Sequence, residues 1–485
     1  MKKLICLFLS LVMVLGLCAC SGGSEEARSE SKETTAETTA PEAASGLLAG
    51  YARTGIVPDY QVQLAGGAAT RLSEAYAQDD LCITCVALQE GGETFLLFTM
   101  DVICAEDVFV DPAKALISQT TGVPEENILM NATHTHAGPA IRSNGSKNVD
   151  QYRADFFVWA EETAKEAIKD LYPATVSYGS IEAPGMAWVR HYEMNDGTYY
   201  GANFGSSASG IKGHVEDADV ELQLIRFTRD AKEGKKDIVM MNFPAHATMT
   251  QSDTALSADF PAPARLYVEQ EENCHVAYFI AAAGNQVPTS RVASEQFSDD
   301  YRVYGEELGR YAVMGLSNMT EAENTGFGFV HRTFTAGYNK EKLDMLPKAL
   351  EVQTLWNTVG RASSEGSKAA KEAGFASIYE VSAIISRAKA EDTNSMEIKV
   401  LQIGDIGFIF APYEMFGSHG KSIKEDSPYD MTFIITCAEG AEGYLPSYLG
   451  WEIGTYESHV SKFERGTGEK LVEEFVSMLT EMKNR

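Results

Sequence analysis

The chain is predicted to fold as a mixed α/β (α+β) domain, with a β-sheet core flanked by helices. Three observations predict it. Apolar, β-branched runs alternate with helical patterns throughout residues 46–485. That body shows no internal repeat and no second linker, so its length is read as one large domain. Polar residues with ligand chemistry recur where apolar strands end, which is where α/β sheets place their ligands.

The elements follow in order. Leu81–Leu88 and Thr94–Val102 read as strands paired around the turn Glu90-Gly91-Gly92. An amphipathic stretch over Asp107–Thr120 reads as a helix and leads to the strand Asn127–Thr133, making a strand–helix–strand crossover. A helix is predicted over Phe156–Leu171, and strands over Val176–Ile181, Val220–Phe227 and Ile238–Phe243. A helix over Ala262–Glu271 precedes the strand His275–Ala281, and another helix covers Arg302–Ser317. Residues 343–389 read as a polar helical insertion. Strands return at Ile398–Ile403, Ile406–Phe410 and Thr432–Thr436, and a helix over Glu469–Lys483 closes the chain.

Ahead of this body stands a different kind of sequence. Lys2 and Lys3 precede the apolar run Leu4–Leu17, which is short for a membrane span and suits a signal peptide over residues 1–19. Leu17-Cys18-Ala19-Cys20 resembles a bacterial lipobox, which implies cleavage before Cys20 and lipidation of that cysteine. A single membrane-spanning anchor is the alternative. Either reading places the body at the outer face of the bacterial cytoplasmic membrane. Residues 20–45 are Ser, Glu, Thr and Ala with almost no large apolar side chain, so they are expected to form a disordered acidic tether.

A formal charge of −29 argues against nucleic acid, whose phosphates demand a basic surface. It also argues against electrostatic docking of the body on anionic lipid. Cys82 and Cys85 have metal- or redox-like spacing, but they sit in a strand-like run where residues three apart face opposite ways. They are read as buried apolar cysteines, with a disulfide as the alternative.

The chemistry gathers elsewhere. Asn131-Ala-Thr-His134-Thr-His136-Ala-Gly-Pro139 follows the apolar run Ile128-Leu-Met130. In an extended strand, residues two apart share a face, so His134 and His136 are expected to reach one spot. Two imidazoles there suit a zinc site, and they equally suit a strand-end pair bonded to backbone or water. Three further candidates stand in the same context. His246 ends Met241-Asn-Phe-Pro-Ala-His246, Glu414 follows Phe408-Ile-Phe-Ala-Pro-Tyr413, and Tyr444 lies in Glu442-Gly-Tyr-Leu-Pro446. A single sheet edge is expected to converge them. No Gly-x-Ser-x-Gly elbow is present to support serine hydrolysis.

These residues resemble the neutral/alkaline, non-lysosomal ceramidase family. The resemblance runs in order from about Gly50 to Tyr456. After the His134 and His136 signature come Val189-Arg190-His191-Tyr192 with Asp196-Gly-Thr198, then Asp217-Ala-Asp-Val220. Phe243 to His246, Ser257-Ala-Asp-Phe-Pro261 and Ala282-Ala-Gly284 follow, and Pro412 to Phe416 and Gly443 to Pro446 close the set. Asn285, Tyr413 and Ala247 depart from the family pattern. An immunoglobulin-like C-terminal domain, usual in true ceramidases, is not expected here.

The resemblance implies a zinc amidase that cleaves the N-acyl bond of ceramide or a related N-acyl amine. It implies about one Zn2+ per chain, held by His134, His246, Glu414 and Tyr444. It places His136 and Arg190 beside the metal and a further tyrosine at Tyr456. Amide hydrolysis needs an activated water and a sink for oxyanion charge, which suits zinc. His136 is then assigned to water activation or proton delivery, with a hydrogen bond that orients a ligand as the alternative. Arg190 has the same pair of readings, oxyanion or substrate contact against ligand support. Two other functions compete: a lipid-anchored binding protein on the same scaffold, and a zinc esterase.

Overall fold

A computed structural model describes residues 46–66, 71–74, 76–142, 146–202, 209–292, 294–295, 297–360 and 363–485. The expected signal peptide, the lipidated Cys20 and the tether lie outside them. No helix among the described residues is long and apolar enough to cross a membrane.

Among the described residues, one sheet of nine strands is built from β1 (Leu48–Gly55), β2 (Cys82–Glu90), β3 (Glu93–Met100), β4 (Ile128–Ala132), β5 (Tyr172–Glu182), β6 (Glu221–Arg229), β7 (Ile238–Phe243) and β8 (His275–Ile280). They are ordered β8-β7-β6-β5-β1-β2-β3-β4, and the two-residue strand Thr320–Glu321 pairs with β5. A second sheet of four strands runs β9 (Phe327–Gly337), β10 (Thr393–Ile403), β11 (Ile406–Phe410), β12 (Met431–Ile435) in chain order.

Side-chain alternation stacks these sheets. On β3, Phe95 and Leu97 point into a core shared with the second sheet, and Leu96 and Phe98 point to the other face. Phe408 and Phe433 answer from β11 and β12, with Phe433 and Phe279 edge-to-face at 6.1 Å between ring centroids. Helices α1 (Asp107–Thr121) and α2 (Lys147–Lys169) cover one half of the outer face of the large sheet, and α3 (Pro261–Glu272) and α4 (Tyr301–Leu316) cover the other. Residues 343–389 hold three helices, α5 (Leu346–Val359), α6 (Ser364–Glu372) and α7 (Ile378–Arg387), which share a small core around Trp356. The outer face of the small sheet carries α8 (Gly417–Asp426) and α9 (Thr467–Lys483). The layers are therefore helix, sheet, sheet, helix.

Most pairings are antiparallel, but three are parallel: β3 with β4, β7 with β8, and β11 with β12. Each is a strand–helix–strand crossover, through α1, α3 and α8 respectively. The edges of the large sheet are tied to the segment after β12. Thr436 N donates to Ile280 O at the end of β8 at 3.2 Å, and Ala132 N at the end of β4 donates to Cys437 O at 3.1 Å. Backbone that would otherwise end the sheet is thereby satisfied.

Mixed α/β architecture is as the sequence predicts, with some elements displaced. Helix α2 starts nine residues before the expected Phe156, because its first turns bury only Val149 and Tyr152 and carry a weak apolar period. Strands β1 and β9 escaped the sequence reading, since Gly, Arg, Thr and His dilute their β-branched signal. The five cysteines of the body are free, and Cys82 and Cys85 are buried as expected.

Candidate metal centre

Each crossover delivers one side chain. His134 lies two residues past the end of β4, His246 three past β7, and Glu414 four past β11. The carboxyl ends of parallel strands thus converge from both sheets, where the sequence suggested a single edge.

His134 and His136 do meet, though not through strand alternation. Strand β4 stops at Ala132, and His134 adopts φ +65°, the left-handed region that is costly for a residue with a Cβ. That turn brings His136 Nε2 to 3.4 Å from His134 Nε2. His246 Nε2 lies 3.1 Å from His134 Nε2 on the other side. Ligand atoms of the three histidines fall within 4.8 Å of one another.

The second nitrogen of each ring fixes its role. Nδ1 of His134 contacts Ile103 O at 2.6 Å, Nδ1 of His136 contacts Gly66 O at 3.1 Å, and Nδ1 of His246 contacts Ala283 O at 2.6 Å. A carbonyl only accepts, so each Nδ1 carries the proton and donates it. When all three rings are neutral, rings so tethered present three Nε2 lone pairs to one point. Lone pairs at 3.1 Å and 3.4 Å repel unless a cation or a proton lies between them.

Glu414 completes the group. Its Oε2 is 3.3 Å from Nε2 of both His134 and His246, yet it is buried without a hydrogen-bond partner among the described residues. An orphaned carboxylate oxygen facing imidazole lone pairs fits a divalent cation. Burial opposes ionisation of Glu414, but His134 and His246 hold its carboxyl well below the usual range. Burial also opposes charge on His134, while Cys437 and Glu414 carry it well above the ordinary imidazole value. Burial and the positive field of its neighbours keep His136 well below that value, and burial with Arg190 takes His246 to about 4.

Tyr444 reaches the same place through the backbone. Glu414–Met415 and Tyr444–Leu445 form a two-residue parallel ladder in which Glu414 and Tyr444 are partners. The Tyr444 ring stacks 6.4 Å from that of His246, and the Arg190 guanidinium lies 5.7 Å from the Tyr444 ring. Gly284 allows this closeness. A Cβ there would come within 2.5 Å of Glu414 O, and Gly284 O accepts from Arg190 Nη2 at 2.8 Å. Tyr456 stands one ring further out, 6.0 Å from Tyr444.

Searched against protein-family models and curated proteins, the chain matches none. Solved structures give a different answer. The neutral ceramidase from Pseudomonas aeruginosa superposes with a TM-score of 0.67 at 16% identity, over 91% of this chain and 75% of that one. The fold is that of the neutral ceramidases. A ceramidase complexed with C2 superposes similarly, with a TM-score of 0.66 at 16% identity over 91% and 76% of the two chains. The ceramidase fold therefore spans both sheets and all three crossovers described above.

Sequence reasoning missed the supports. Glu457, fully buried, accepts from Arg190 Nε at 2.8 Å through Oε1 and from His191 Nε2 at 2.8 Å through Oε2. Its only signal is its place next to Tyr456. The carbonyls of Gly66, Ile103 and Ala283 have none, because every residue carries one. Glu439 at φ +60° accepts from Met130 N, Lys114 and Lys399, pinning the strand that leads to His134.

Proposed function

We propose that the protein is a zinc-dependent hydrolase of the N-acyl bond of ceramide or a related N-acyl amine. Under this reading it is held at the outer face of the bacterial cytoplasmic membrane by a lipid on Cys20. The observation that carries the hydrolase reading is the orphaned Glu414 Oε2 facing the Nε2 atoms of His134 and His246. The ceramidase fold supports amide over ester as the bond cleaved. The lipid anchor rests on the Leu17-Cys-Ala-Cys20 pattern.

His134, His246, Glu414 and Tyr444 would hold the metal. Zinc in that place supplies Lewis acidity, which activates water and polarises the scissile carbonyl. His136 is neutral at pH 7, with Nδ1–H spent on Gly66 O, so its Nε2 is free to take a proton from water and return it to the leaving amine. In balance, water oxygen bonds to the acyl carbon, the C–N bond breaks, and the amine gains a proton. Arg190 is fixed by Glu457 and Gly284 O and keeps a permanent charge beside Tyr444 for the acyl oxygen or the substrate.

A second reading of His136 has its own support, because its nitrogen belongs to the same close group as the other two. As a ligand, it would hold the metal and move no proton.

Metal analysis of the purified ectodomain tests the proposal together with hydrolysis of a fluorescent N-acyl sphingosine. About one zinc per chain is expected, with turnover abolished by His134→Ala or Glu414→Ala. A protein that binds zinc no better than those variants refutes it. Zinc without ceramide turnover moves the substrate to another N-acyl amine.

A further inference from the structure

A histidine that works through Nε2 must have that nitrogen aimed at one place. The aim of an imidazole is set by the partner of its other nitrogen and by the backbone that carries the ring. For His136 both are governed by the segment 63–66. Gly66 O accepts the Nδ1 proton at 3.1 Å. A Cβ on Gly66, which lies at φ +79°, would come within 2.6 Å of the His136 Cα and Cβ, so only glycine lets the segment lie this close. Ala65 N donates to Gly138 O at 2.9 Å and Ala140 N to Gln63 O at 2.7 Å, which lays the segment along the histidine loop.

Arg71 fastens the two together. It is the register partner of Leu64 in a short antiparallel ladder of Gln63–Leu64 with Arg71–Leu72. Its Nη2 donates to Ala65 O and to His136 O, the latter at 2.6 Å, and its Nη1 donates to Asp253 O at 2.6 Å. One nitrogen thus joins the carbonyl just before Gly66 to the carbonyl of the histidine itself. A planar guanidinium holds its N–H bonds at fixed angles, so the two carbonyls are held in a fixed relation. Burial opposes the charge on Arg71 while the Asp253 carboxylate supports it, so a cation is kept here against desolvation.

We infer that Arg71 is a positioning residue: its guanidinium locks Gly66 O against the His136 backbone and so aims His136 Nε2 at the Nε2 atoms of His134 and His246. That this aim serves amide hydrolysis rests on the proposed function; the clamp itself does not.

The two are separated by following His136 spectroscopically and kinetically in the zinc-loaded protein. Its Nδ1 proton is the slowly exchanging imidazole NMR signal that His136→Asn removes. In Arg71→Ala that signal should be lost to exchange with water. The corresponding protons of His134 and His246, held by Ile103 O and Ala283 O, should remain, which a general loosening of the fold would not allow. With N-dodecanoyl-sphingosine, kcat should fall by about tenfold or more while KM stays within about twofold. Guanidinium ion at millimolar concentration should restore both signal and kcat in Arg71→Ala, and neither in His136→Asn. An unchanged His136 signal, simultaneous loss of all three signals, or an unchanged kcat in an active enzyme overturns the inference. A wild-type protein that cleaves no amide, with the His136 signal alone lost in Arg71→Ala and restored by guanidinium, upholds the clamp and rejects the amidase reading.

Discussion

Glu414 and Tyr444 are partners across a two-residue parallel ladder, with Glu414 N donating to Gly443 O at 2.9 Å. The carboxylate and the phenol proposed as metal ligands are therefore positioned by one backbone contact between two loops. Gly443 holds φ +84° in open space, so a side chain there meets no neighbour but strains the backbone. Gly443→Ala should cost about 1 kcal/mol of stability. It should also weaken zinc binding, by displacing Glu414 and Tyr444 together. Equilibrium dialysis against zinc, run beside thermal melts, checks both.

Replacing His136 separates its two readings. As a proton carrier, His136→Asn should keep zinc near one per chain while lowering kcat by about a hundredfold or more. As a ligand, the same change should lower metal content in step with activity. Metal content and kcat measured on one preparation decide between them.

Acid should loosen the support beneath His134. Burial opposes ionisation of Glu439, but Lys114 and Lys399 hold its carboxyl below the ordinary value of 4.5. A carboxyl depressed in the folded state contributes stability above its unfolded pKa, and loses it as pH falls through the folded pKa. Thermal stability should therefore drop below about pH 4.5, the unfolded value. In Glu439→Gln that acid limb should be shallower. The variant should also be less stable at neutral pH by about 3 kcal/mol, because two lysines lose a buried partner. Melting curves between acid and neutral pH test this.

Phe433 joins the sheets, with Phe279 at 6.1 Å and Phe408 at 5.5 Å. Phe433→Ala should destabilise the fold by about 3–5 kcal/mol. Because β12 also runs into the loop that bonds Ala132, zinc affinity should fall as well. Denaturant unfolding with and without zinc measures both effects.

The legible parts of this molecule were those with local periodicity. Strands β3, β7, β8 and β11 announce themselves through uninterrupted apolar runs, and His134, His246 and Glu414 were visible because each follows one of the crossover strands. What local pattern does not encode is the pairing of distant segments. That His134 sits in a left-handed turn depends on its ring reaching Ile103 O, a contact with no residue-type signature. Glu457 was hidden for a similar reason, since nothing near Tyr456 tells that a carboxylate there will grip Arg190 and His191 together.

The three crossovers have a consequence for how this centre comes into being. Their ligands ride on different strand pairs in two sheets, so no fragment containing one crossover owns a binding site. On the proposed zinc reading, tight uptake would be a property of the finished chain, and bound metal would stabilise the whole fold because it has purchase only on the native state. Under that reading, zinc retention would serve as a gauge of complete folding, failing as soon as any one crossover comes adrift.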